Sequence, residues 1–132
     1  MANLIQPQSP STSSDVPFAC DLSVFTPEER ANLERISAEL FAAVTEIREL
    51  ADGYAYRLPQ TFPVMTVAEF ILYDHRCCPF FNHGMDVEPR GGSIWLRLTG
   101  HDGIKPFIIA EIGDNHLLRD EVAAAAGWNQ PG

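Results

Sequence analysis

The sequence predicts an α+β fold in which helices cover a small antiparallel sheet of about three strands, in the order α-β-α-β-β-α-α. Two kinds of observation predict it. Two long segments repeat apolar residues every three or four positions, as buried helix faces do. Shorter segments alternate apolar and polar residues and are followed by glycine or proline, as strands and hairpins are.

The 132 residues fit one domain with a short tail. Residues 1–17 are rich in Ser, Pro, Gln and Thr and contain too little apolar surface to offset the entropy of ordering. We therefore expect a disordered N-terminal tail over 1–17 and a single α+β domain over 18–132.

The first helix has a clear start. Thr26 suits the N-cap, Pro27 the first helical position, and Glu29 the return contact of a capping box. Apolar residues then recur at helical spacing as far as the Asp52-Gly53 pair, where we expect the helix to end. These apolar positions are Leu33, Ile36, Leu40, Val44, Ile47 and Leu50.

The remaining elements follow in order. Residues 54–58 alternate as a strand, and a second helix is predicted over 63–78, where Pro79 breaks it and Gly84 ends a last turn. Residues 85–88 and 93–99 form a predicted hairpin. Two short helices are predicted over 103–112 and 116–126, with Asp102 and Asn115 as caps and Gly127 as the stop.

Charge and composition exclude several functions. The chain has nine basic and eighteen acidic residues, a formal charge of −9, and its basic residues are scattered. Nucleic acid and anionic membranes are therefore poor partners, because both reward clustered positive charge. The sequence has neither an export signal nor an apolar run of membrane-spanning length, so we expect a cytoplasmic protein.

Side chains that can ligate a metal or transfer a proton are most concentrated in one segment, Asp74-His75-Arg76-Cys77-Cys78-Pro79-Phe80-Phe81-Asn82-His83. Its two adjacent cysteines and Cys20 make an odd count, and without an export signal we expect free thiols. If Pro79 starts a fresh turn, Cys78 occupies the N-cap of that turn. The break then re-aims two side chains that would diverge by about 100° on a regular helix.

One hypothesis is a soft-metal or metalloid site built from Cys77, Cys78 and Cys20, with His75 or His83 as an additional ligand. Three thiolates suit zinc, copper(I), mercury or arsenite. The usual paired spacing of structural zinc sites is missing from the sequence. The role would be binding, buffering or sensing.

Two other hypotheses remain open. In a thiol-dependent enzyme, Cys78 would be the catalytic nucleophile and His75 its base, although no oxyanion donor is identifiable. In an interaction module, the cysteines would only pack, as buried cysteines often do. Aromatic residues that would suit a homodimer face are Trp95, Trp128, Phe80 and Phe81.

The chain also resembles a group of small, uncharacterised bacterial proteins. The matching residues are Cys20, 52–57, 74–80 and 95–100, and the match covers about residues 19–112. Asp74-His75 stands where the group often has Glu-Arg. The resemblance implies that all three cysteines belong to one pattern, and such proteins are sometimes associated with heavy-metal-responsive regulators; it implies no particular activity.

Overall fold

The computed structural model describes residues 18–128, in which four α-helices pack against one antiparallel sheet of four strands. The predicted α+β class and antiparallel sheet are confirmed. The sheet has one strand more than expected, so the order is α-β-β-α-β-β-α-α. The predicted tail, 1–17, and residues 129–132 lie outside the described residues.

The first helix, α1, spans Pro27–Ala43, preceded by a 3₁₀ turn over Leu22–Val24. Its predicted start is confirmed: the Glu29 N–H donates to Thr26 Oγ1 over 3.1 Å, and the Thr26 N–H donates to Glu29 Oε1 over 3.0 Å. This capping box satisfies two backbone donors that would otherwise lack partners. The helix buries one stripe, which consists of Leu33, Ile36, Leu40 and Phe41.

The prediction that this helix continues to Leu50 is wrong. The helix ends at Ala43, and Glu46–Leu50 forms strand β1. Val44, Thr45 and Ile47 are β-branched and favour extended backbone, although the spacing of the apolar residues also fits a helix. The Asp52-Gly53 pair marks a hairpin: Leu50 pairs with Gly53, and the turn consists of the two residues between them.

The other strands are β2 over Gly53–Leu58, β3 over Asn82–Val87 and β4 over Ile94–Thr99. They form the sheet in the order β1-β2-β4-β3, so the predicted strand over 54–58 and the predicted hairpin are both present. Strand β3 begins earlier than predicted. Gly84 therefore lies inside a strand and does not end a helix.

One face of β2 and β4 enters the hydrophobic core. Paired residues on this face are Tyr54 with Leu98, Tyr56 with Leu96, and Leu58 with Ile94. Gly53 has no room for a side chain, because a Cβ there would collide with the Leu98 carbonyl. Strand β2 can approach β4 this closely only with glycine at position 53.

Helix α2 spans Val64–Cys77 and buries Val67, Phe70, Asp74 and Cys77. Cys78 follows as its C-cap, with φ −126° and ψ 69°, and its N–H donates to the Asp74 carbonyl over 2.8 Å. The prediction that Cys78 caps a new helical turn is wrong, since residues 79 and 80 form a turn that leads into β3. Proline explains why the helix stops.

The chain closes with α3 over Ile104–Ile108, a π-helical turn over Ile109–Gly113, and α4 over Asp120–Ala125. The observed N-cap positions are Gly103 and Arg119, so the predicted caps Asp102 and Asn115 are wrong. Among residues 18–128, no helix has both the length and the apolar character needed to cross a membrane.

Candidate functional site

The three cysteines meet at the C-terminal end of α2, and the term cysteine cluster is used here for Cys20, Cys77 and Cys78. Their three sulfurs all lie within 4.8 Å of one another. Cys77 Sγ is 3.4 Å from Cys78 Sγ. Cys20, 58 positions away from Cys78 in sequence, therefore belongs to the same site.

The expectation of three free thiols is wrong for two of them. Cys20 and Cys78 form a disulfide, with their Cα atoms 4.8 Å apart, while Cys77 is a free, buried thiol. Cys78 has left helical geometry, and the sulfurs of the adjacent cysteines lie side by side. In this form only one of the three sulfurs can become a thiolate.

Cys77 is held in its neutral form. Its side chain is 1% exposed and its thiol lies 3.6 Å from the Asp74 carbonyl oxygen, which accepts from it. Burial, followed by the negative charge of the Asp74 carboxylate, raises the pKa of Cys77 to about 12. Because the thiolate is the nucleophile, Cys77 is unreactive near neutral pH.

Contacts hold the segment that carries Cys20 on both sides of that residue. After it, the Asp21 N–H donates to the Cys77 carbonyl over 2.9 Å. Before it, the Phe18 ring packs against Phe80, with ring centroids 5.4 Å apart, and against Phe107, 5.7 Å apart. These contacts position Cys20 independently of the disulfide.

A second attachment is centred on Arg76. Its guanidinium pairs with Glu29 at 3.2 Å, donates to the Val24 carbonyl over 3.2 Å, and lies 4.8 Å from the centroid of the Phe25 ring. The hydrogen bond from Arg76 lowers the pKa of Glu29. These residues, Arg76, Glu29, Val24 and Phe25, are called the Arg76 cluster below.

The two histidines of the motif lie elsewhere. Within residues 18–128, the grouped metal-ligand atoms are the three sulfurs, and neither His75 nor His83 belongs to that group. His75 is exposed. His83 Nε2 lies 2.7 Å from Asp74 Oδ2, and these side chains are 5% and 13% exposed. Since Cys78 is disulfide-bonded, the predicted pair of a Cys78 nucleophile and a His75 base is not formed in this structure.

An apolar cavity of about 460 Å³ adjoins the cysteine cluster. All three cysteines and Asp74 contribute to its wall. Most of the remaining wall is aromatic or aliphatic, and it includes Phe41, Phe70, Phe81, Phe107, Leu33 and Leu98. The cluster therefore faces a space large enough for a small molecule.

Sequence reasoning missed this cavity and the pairing of Asp74 with His83. A signal for the pairing existed, because Val67, Phe70, Asp74 and Cys77 follow each other at spacings of three and four. A carboxylate in such a stripe is buried and needs a partner. The cavity left no comparable signal, since its wall comes from distant segments.

Comparison with known proteins gave no match: no family model, no curated protein and no solved structure matches this chain. Function must therefore be argued from the chemistry and geometry of the cysteine cluster.

Proposed function

We propose that the cysteine cluster, in its reduced form, binds a soft metal ion or metalloid. The observation that carries this proposal is the convergence of all three sulfurs within 4.8 Å. Three thiolates suit zinc, copper(I), mercury(II) or arsenite. The protein would then buffer or sense the ion, or serve as an accessory to its handling.

The spacing of the sulfurs supports shared ligation. Tetrahedral ligation with bonds of about 2.3 Å places neighbouring sulfurs about 4 Å apart. The Cys77 and Cys78 sulfurs, at 3.4 Å, are near that separation already. Reduction of the disulfide lets the Cys20 and Cys78 sulfurs move apart from bonded contact toward the same separation.

Reduction of the disulfide need not separate Cys20 from the other two cysteines. The backbone hydrogen bond from Asp21 to Cys77 and the ring contacts of Phe18 hold the residues on each side of Cys20. The Arg76 cluster holds the segment that follows. The fold therefore offsets most of the entropic cost of bringing Cys20 to the other two cysteines before an ion binds.

The electrostatics favour a cation. The chain has a formal charge of −9, and the Asp74 carboxylate lies close enough to Cys77 to raise its pKa. A bound metal ion displaces the thiol protons and compensates the negative charge of the three thiolates. We therefore expect binding to release protons.

The test is metal uptake by full-length protein in its two redox forms. Reduced protein is expected to bind about one equivalent of zinc or arsenite, and oxidised protein less than about a tenth of that. Uptake is measured by elemental analysis after gel filtration without oxygen. Matched Cys20→Ser, Cys77→Ser and Cys78→Ser variants should each lose most of the affinity. Reduced wild-type protein that takes up no zinc, copper(I), mercury(II) or arsenite would sink the proposal.

A second candidate function is thiol–disulfide exchange, favoured by the disulfide between Cys20 and Cys78. In that reaction a dithiol substrate would become a disulfide while Cys20 and Cys78 become thiols, with transfer of two electrons and two protons. Cys77 separates the two functions. A Cys77→Ser variant should keep the exchange reaction with a small dithiol but lose high-affinity metal binding.

A further inference from the structure

The cavity beside the cysteine cluster has no role in binding a bare ion. Three sulfurs surround an ion at bond lengths of about 2.3 Å and need no additional apolar space. The cavity nevertheless measures about 460 Å³, and every cysteine of the cluster contributes to its wall. Ligand pockets for small molecules span roughly 300–1,000 Å³, and an apolar cavity of only about 150 Å³ is enough for benzene.

We infer that the ligand is a thiophilic atom that carries one apolar organic group, of the class of monosubstituted organoarsenic(III) compounds. This inference rests on the proposed function. Two of the three thiols bind the arsenic, and the organic group occupies the cavity. Four phenylalanines of the cavity wall favour an aromatic group, since aromatic pairs add attraction beyond the burial of area. They are Phe41, Phe70, Phe81 and Phe107.

The charges of the wall restrict the organic group further. Three carboxylates line the cavity, those of Glu34, Asp74 and Glu111. Among the described residues of its wall there is no lysine or arginine. A group that carries its own carboxylate would be repelled, whereas the neutral dihydroxy form of an organoarsenic(III) compound would not.

Arsenic keeps its oxidation state when the thiols bind it. A phosphine reductant first cleaves the disulfide between Cys20 and Cys78 to two thiols and becomes a phosphine oxide with the oxygen of water. Two thiols of the cluster then react with the dihydroxyarsine: two As–S bonds form, two As–O bonds break, and two water molecules leave. The carbon–arsenic bond stays intact.

The test compares three probes on reduced, full-length protein: arsenite, methylarsine oxide and phenylarsine oxide. The two organic probes form the same two As–S bonds, so the ratio of their affinities isolates the contribution of the cavity. We expect phenylarsine oxide to bind about tenfold more tightly or better, because burying a ring adds at least 1.4 kcal/mol over a methyl group. A para-carboxyphenyl probe should lose this advantage.

A variant that fills the cavity sharpens the comparison. Ser37 lines the cavity from α1, whereas its neighbour Ala38 is exposed outside it. Ser37→Phe should reduce the phenyl-to-methyl affinity ratio to about one, and the matched Ala38→Phe should leave it unchanged. If Ser37→Phe does not fold, Asn115→Phe offers the same obstruction from an exposed position of the wall.

The outcomes separate the two proposals. If arsenite binds but the wild-type ratio is about one, or if the ratio survives both obstructing substitutions, the ligand class is wrong and the metalloid site stands. If no probe binds the reduced protein, the proposed function fails and the ligand class fails with it.

Discussion

The segment before α1, together with the first turn of α1, is joined to the end of α2 in two ways that depend differently on redox state. At the cysteine cluster the link is a covalent bond between Cys20 and Cys78, which a reductant removes. At the Arg76 cluster the link is an ion pair at 3.2 Å, a backbone hydrogen bond and a ring contact, none of which a reductant affects. A reductant can therefore free the sulfurs of the cysteine cluster while the Arg76 cluster keeps the two segments close together.

The largest expected effect comes from removing the covalent link. The disulfide closes a loop of 58 residues, for which chain entropy predicts a stabilisation of about 4 kcal/mol. Cys20→Ser should lower the free energy of unfolding of the oxidised protein by up to that amount. Urea unfolding measures it, and reduced wild-type protein should match the variant.

The matched control for this prediction is Cys77→Ala, which leaves the disulfide in place and should cost much less. If Cys20→Ser and reduced wild-type protein both unfold at the same urea concentration as the oxidised protein, the disulfide does not hold the segment in place.

A second prediction concerns Cys77, the thiol that takes no part in the covalent link. Its folded-state pKa is raised to about 12, so its thiolate fraction rises tenfold per pH unit throughout the range below 12. Alkylation of oxidised, folded protein by iodoacetamide should therefore accelerate steadily from pH 8 to pH 10. An ordinary thiol, with a pKa of about 8.5, would level off near pH 9.

The raised pKa of Cys77 also makes the free energy of unfolding depend on pH. A thiol whose pKa is raised on folding contributes fully below its unfolded pKa, and that contribution is lost as pH rises toward 12. Alkaline destabilisation should be smaller in Cys77→Ala than in wild-type protein. An alkylation rate that reaches a plateau below pH 10 would show that Cys77 is not held neutral by its surroundings.

The smallest expected effect comes from the Arg76 cluster. Arg76→Ala should weaken zinc binding by reduced protein about fivefold, because the segment that carries Cys20 is then less often in place. Isothermal titration with a competing chelator measures the change. Arg30→Ala, which removes an exposed pair with Glu34 at 3.6 Å, is the matched control and should have no effect. Equal zinc affinity in the Arg76→Ala variant and wild type would mean that this cluster does not prepare the site.

The parts of the fold that depend on local signals could be predicted from the sequence. The Thr26 capping box, the strand over 54–58 and the end of α2 before Pro79 all follow from neighbouring residues. Strand β1 could not be predicted by spacing alone, because Ile47 and Leu50 fit a helix as well as a strand. Pairing with β2 decides that this segment is a strand, and the spacing of apolar residues does not reveal that pairing.

The candidate site, like the fold, could be predicted only in part from the sequence. The sequence predicts Cys20 beside Cys77 and Cys78 as one alternative, but it does not predict the disulfide with Cys78, because sequence separation does not reveal which sulfurs approach. His75 and His83 are close to the cysteines in sequence, but α2 turns one toward solvent and β3 places the other on Asp74. Homodimer formation and the resemblance to heavy-metal-associated proteins stay predictions.

The proposed metal site requires that Cys20, Cys77 and Cys78 ligate one ion together after reduction. X-ray absorption at the zinc edge of reduced, zinc-loaded protein counts the atoms around the metal directly. We predict three sulfurs at about 2.3 Å and one lighter ligand. A shell of nitrogen and oxygen atoms only, at about 2.0–2.1 Å, would contradict it.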